Sequence, residues 1–102
     1  MPTTLRHVVL FAFKNKATAD EIDAVVTAFG ALKDAIPAIV SYEWGTNVSL
    51  EGLNDGFTHC FTLTFAAAPD RDDYLNHPEH QRFVGMLGGV LEKSLVLDYW
   101  AQ

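Results

Sequence analysis

The run from Leu5 to Phe13 is apolar on both of its alternating faces, with His7, Val9, Phe11 and Phe13 on one and Val8, Leu10 and Ala12 on the other. Side chains alternate across a strand, so a strand of this kind has to be covered on both sides of its sheet. The end of the chain repeats the pattern, Leu95, Leu97 and Tyr99 opposing Val96, Asp98 and Trp100. Two such strands call for a layer of helices on one face and a further apolar partner on the other.

The segments between them supply the helices. Lys14-Asn15-Lys16 ends the first strand, and Thr18-Ala19-Asp20-Glu21 has the form of a capping box, in which hydroxyl and carboxylate satisfy orphan backbone donors. A helix to about Ile36 follows, with Ile22, Val25, Val26, Phe29, Leu32 and Ile36 at helical spacing and Asp23, Thr27 and Asp34 on the wet face. Pro37 stops it. Ile39 to Val48 and Phe57 to Phe65 alternate as second and third strands around a polar loop, Ser49 to Gly56. Pro69-Asp70 opens a short helical turn carrying Tyr74, and Pro78 starts a second helix with Phe83, Met86, Leu87, Val90 and Leu91 at core spacing. Gly85, Gly88 and Gly89 each weaken that helix by about 1 kcal/mol, which puts a break near Gly88. Ser94 to Trp100 is the last strand.

The order β-α-β-β-α-β predicts an α+β fold, the ferredoxin-like plait, an antiparallel sheet with both helices on one face. The other face would then expose more apolar surface than a soluble monomer usually carries, so a homodimer packed sheet against sheet is expected.

With 102 residues, 49% of them apolar, the chain is sized for one core, and a single domain over residues 1–102 is expected. Seven Lys and Arg against thirteen Asp and Glu leave a formal charge of −6. A field of that sign repels phosphate backbones and anionic lipids, so neither nucleic acid nor membrane is an expected partner. The one cysteine, Cys60, permits no intrachain disulfide and reads as a small apolar filler. No apolar run has the length of a membrane span and no basic-then-apolar leader opens the sequence, which makes the cytoplasm the expected location. Asn47-Val48-Ser49 matches a glycosylation acceptor and, without such a leader, is read as chance.

Acid–base chemistry concentrates in Asp73-Tyr74-Leu75-Asn76-His77-Pro78-Glu79-His80. A proline is tolerated at the first helical position, which places His80 in the first turn of a new helix. The positive end of the helix dipole disfavours imidazolium and keeps His80 base-competent near neutral pH. On the plait, His7 and His59 point from the sheet toward the helices and Asp98 comes from the last strand, so these groups can converge with Tyr74 and His80 in one apolar pocket. Two readings stay open. In the first, His80 removes a proton from carbon beside a carbonyl, Asp98 or a backbone carbonyl orients its other ring nitrogen, and Tyr74 donates to the carbonyl oxygen as enolate charge develops. In the second, His80 braces the helix start, Tyr74 bonds the backbone, and His7 and His59 are satisfied core histidines. His7, His59, His80 and Asp98 have the ligand types for zinc or iron, yet they lack a tight spacing motif, so no metal is expected. Nothing has the form of a phosphate-binding glycine loop, a nucleophile elbow or a CxxC pair, and no cofactor is expected.

Arg6-His7-Val8-Val9-Leu10-Phe11, Ile36-Pro37-Ala38, Gly56-Phe57-Thr58-His59, Tyr74-Leu75-Asn76-His77-Pro78-Glu79-His80 and Leu97-Asp98-Tyr99 together resemble the stress-responsive A/B barrel domain (Dabb) family of the dimeric α+β barrel superfamily. The resemblance spans nearly the whole chain. It implies a plait monomer whose dimer closes a barrel from two four-stranded sheets. It also implies a polyketide-cyclase-like aldol condensation in which Tyr74 and His80 are the catalytic pair. The corresponding pocket for a small ketone-bearing or aromatic molecule involves His7, Val9, Phe11, Val25, Phe29, His59, Phe61, Phe83, Leu87 and Asp98. Val25, Val26, Phe29, Met86, Leu87 and Leu91 depart from the cyclase pattern, which leaves the substrate open. Two other functions remain in play: a non-catalytic stress-associated assembly protein and, by analogy with other α+β barrels, a cofactor-independent or haem-linked monooxygenase.

Overall fold

In the computed structural model, which describes residues 4–102 of the expected 1–102 domain, the first strand lies inside the sheet as its two apolar faces require. Strands β1 (Leu5–Phe13), β2 (Ser41–Thr46), β3 (His59–Phe65) and β4 (Leu91–Trp100) form one sheet in the order β2-β3-β1-β4. Every pairing is antiparallel. Helices α1 (Ala19–Ala35), α2 (Ala68–Asn76) and α3 (Pro78–Gly85) complete the ferredoxin-like α+β plait.

Register decides which side chains meet under the helices. His7 stands opposite Leu63 on β3 and Asp98 on β4. Leu5, Val9 and Phe11 share its face, and Val25, Phe29 and Leu32 of α1 pack down onto it. Phe29 is the hub, stacked on Phe61 at 4.3 Å between ring centroids and tilted against Phe83 at 4.8 Å. Burying a ring of this size stabilises the fold by roughly 1.5–3 kcal/mol. Thr18 and Glu21 close the capping box at the start of α1.

The opposite sheet face is divided. Thr62, Thr64, Cys60 and Glu43 occupy its β2–β3 half, whereas Val8 and Leu10 lie beside exposed Leu95, Leu97 and Tyr99 on the β1–β4 half.

Several expected element boundaries are corrected. The helix, whose apolar spacing continues to Leu91 with a break expected near Gly88, ends three residues before that glycine, at Gly85, and β4 begins at Leu91 rather than Ser94. Three glycines in five residues leave too little helix propensity there, and tight turn bonds replace the helical ones, from Met86 N–H to the Phe83 carbonyl and from Leu87 N–H to the Val84 carbonyl. Met86, placed by helical spacing in the core, is therefore 42% exposed, while Val90 is buried at the entrance to β4. The short helical turn before Pro78 is a nine-residue helix, α2, and the second and third strands are shorter than the alternation implied.

Candidate active site

The break at His77-Pro78 builds the site. His77 caps α3, its Nδ1 accepting from the Glu79 N–H at 3.1 Å. The turn between α2 and α3 brings the buried Tyr74 against His80, with ring centroids 4.5 Å apart. His80 Nδ1 lies 3.1 Å from the Leu75 carbonyl oxygen. A carbonyl only accepts, which assigns the proton to Nδ1 and leaves the Nε2 lone pair free. Burial holds the His80 pKa below its ordinary 6.5; the Leu75 carbonyl opposes that shift and charge on His7 adds to it. Burial pushes the Tyr74 phenol well above its usual range, so it remains a donor.

A cavity of about 320 Å³ opens between the sheet and the α2–α3 pair, lined by His7, Val9, Phe11, Phe29, Tyr74, Leu75, His80, Phe83, Val84, Leu87, Ser94, Val96 and Asp98. Among the described residues, the fully buried side-chain polar atom without a partner is the Tyr42 hydroxyl, whose pKa burial pushes up to about 12. Tyr74, His7 and His80 all line the cavity. His7 donates from Nδ1 to Asp98 Oδ1 at 2.6 Å, and Arg71 Nη1 donates to Asp98 Oδ2 at 3.1 Å.

The family model for the stress-responsive A/B barrel domain matches residues 5–101. The chain belongs to this family. Its A/B barrel relatives include the stress-response A/B barrel domain-containing protein HS1 of Arabidopsis thaliana, 34% identical over 93% of this chain and 87% of that protein. Olivetolic acid cyclase of Cannabis sativa is 28% identical over 93% of this chain and 94% of its own length. Among solved structures, the hydroxynitrile lyase of Passiflora edulis superposes with a TM-score of 0.92 at 28% identity, covering 100% of this chain and 96% of its own. A protein of Jannaschia sp. CCS1, described as dimeric and ferredoxin-like, superposes with a TM-score of 0.83 at 25% identity, over 96% of this chain and 99% of its own.

In this A/B barrel domain, nine of the residues singled out from sequence border one cavity: Tyr74, His80, His7, Val9, Phe11, Phe29, Phe83, Leu87 and Asp98. Val25, Phe61 and His59 do not. Val25 and Phe61 lie in the core behind the wall. His59 pairs with Phe11 two positions along the ladder from Val9, stacks flat against Trp44, and shares a 2.8 Å hydrogen bond with the Thr58 hydroxyl. It borders a separate hollow of about 560 Å³ beneath the β2–β3 loop. Of the two groups considered for orienting His80, a backbone carbonyl fills the role, and Asp98 is engaged by His7. Sequence reasoning passed over Arg71, whose position one turn before Tyr74 is its only local signal. Among the described residues, no group of three or more His, Cys, Asp or Glu is placed to hold a metal ion, and no helix is long and apolar enough to cross a membrane.

Proposed function

We propose that this A/B barrel domain works as a homodimer whose helix–sheet cavity takes a small ketone-bearing or aromatic molecule, and that Tyr74 and His80 act there as a polyketide-cyclase-like lyase. The observation that carries this reading is that Tyr74 and His80, their rings 4.5 Å apart and the His80 Nδ1 engaged by the Leu75 carbonyl, border one apolar cavity. Phe29, Phe83 and Leu87 line that space instead of filling it, which favours ligand chemistry over a purely structural role.

His80 Nε2 takes a proton from the carbon beside the carbonyl. The C–H electron pair moves toward the carbonyl oxygen, where the Tyr74 O–H stabilises the growing enolate charge, and the enolate carbon attacks a second carbonyl. A cyclase and a hydroxynitrile lyase among the relatives support a lyase-type reaction. The homodimer is supported by the exposed Leu95, Leu97 and Tyr99 beside Val8 and Leu10, a self-complementary apolar strip, and by the dimeric description of a structural neighbour.

The test is deuterium wash-in at the α-carbons of 4-phenylbutan-2-one in D2O. Wild-type protein is expected to accelerate the exchange above buffer. Exchange at the buffer rate at saturating ketone contradicts the reading.

A further inference from the structure

Asp98 joins three elements at the cavity wall. One carboxylate oxygen takes the His7 Nδ1–H from β1, and the other takes the Arg71 guanidinium from α2. The His7 bond is 2.6 Å long and the residue is 4% exposed, so the imidazole is fixed in orientation with Nε2 directed away from Asp98. Its edge meets Tyr74 at 5.6 Å between centroids. Helix α2 has no side-chain cap at its start, and Tyr74 is its one buried residue. The Arg71–Asp98 pair is therefore a polar tie, one turn from Tyr74, between this helix and the edge strand β4.

We propose that His7 is a second catalytic residue of the cavity, the proton donor to the oxygen of the carbonyl under attack, and that Asp98 and Arg71 are positioning residues that act through it. The proposal rests on the ketone reading above and adds the partner that an aldol step needs. The C–H bond breaks to His80 Nε2, its electron pair forms the new carbon–carbon bond, and the π pair of the second carbonyl moves onto its oxygen. That oxygen takes the proton from His7 Nε2. One proton enters the protein as one leaves it, and exchange with solvent resets the two rings. Asp98 supports the imidazolium that donates, in the way a buried carboxylate orients and stabilises a catalytic histidine. Charge on His7 also disfavours a proton on His80, so the ring that donates and the ring that accepts are kept distinct.

The reverse direction gives the assay. Cleavage of 4-hydroxy-4-phenylbutan-2-one to benzaldehyde and acetone is followed in wild type, His7→Ala, Asp98→Asn and Arg71→Gln, with the His7 ring observed by long-range proton–nitrogen NMR. The expected result is a fall in kcat of about 100-fold or more for His7→Ala and Asp98→Asn and of about 10-fold for Arg71→Gln. KM should stay within about two-fold in Asp98→Asn, while the His7 Nδ1–H signal shifts or is lost. Unchanged kcat in His7→Ala or in Asp98→Asn overturns the proposal. Deuterium wash-in separates it from the broader reading: wild type that exchanges the ketone but cleaves no aldol overturns the role of His7 alone, and wild type that does neither overturns both.

Discussion

The rings of Tyr74 and His80 meet at 4.5 Å across a one-residue break at His77, one in the last turns of a helix and the other in the first turn of the next. The two side chains are thereby held by separate helices at the wall of a shared cavity, and each has its own consequence for substitution.

Tyr74→Phe retains the ring that packs against Phe65 and His7 and removes only the oxygen. Stability in urea is expected to change by no more than about 0.5 kcal/mol. Ketone exchange should fall by about 100-fold, the usual cost of deleting one oxyanion donor. A large loss of stability with normal exchange would instead make the hydroxyl structural.

The lowered His80 pKa has a definite sign in stability. Between that folded-state value and the ordinary 6.5, the unfolded chain binds more protons than the folded protein, so stability rises with pH through this window and is lost as pH falls through it. His59, lowered mainly by burial with Asp23 opposing, acts in the same direction. Urea midpoints measured at about pH 7.5 and about pH 5 are expected to drop on acidification, and a His59→Gln/His80→Gln double variant should show a smaller drop. Exchange by wild type should decline on the same acid side, because the base must be neutral.

Phe61 and Met86 test where the core ends. Phe61 is fully buried against Phe29, and Phe61→Ala is expected to cost about 3–5 kcal/mol in urea unfolding. Met86→Ala should cost no more than about 0.5 kcal/mol despite its helical spacing, because α3 has already ended. Similar costs for the two would contradict the observed end of the helix.

Leu95 and Leu97 test the open sheet face. Sedimentation equilibrium of the wild type is expected to give the mass of two protomers, and Leu95→Lys/Leu97→Lys the mass of one, since two charges would be buried without partners. A single-protomer mass for the wild type at micromolar concentration would contradict the dimer.

Much of this fold was legible because its signals are local. The two-sided apolar run of β1, the Thr18–Glu21 capping box and the proline at the start of α3 each specify their element within a few residues. The site was legible for the same reason where it is local, as with Tyr74 and His80. What escaped depends on register between distant segments. Asp98 is 91 residues from His7 and 27 from Arg71, and only strand pairing shows that it serves both. His59 shares the helix-side face with His7, as alternation implied, but the ladder carries it beyond the cavity to Trp44. The end of α3 was misread because Met86 and Leu87 continue a helical stripe that the glycines cannot sustain.

The most direct test of the central claim is chemical rescue of the proposed base. His80→Ala protein, checked for its fold by proton NMR, is assayed for deuterium wash-in into 4-phenylbutan-2-one with and without added imidazole. The account predicts exchange at the buffer rate without imidazole, and recovery with it beyond what imidazole alone achieves in buffer. Wild-type exchange by His80→Ala in the absence of imidazole would contradict it.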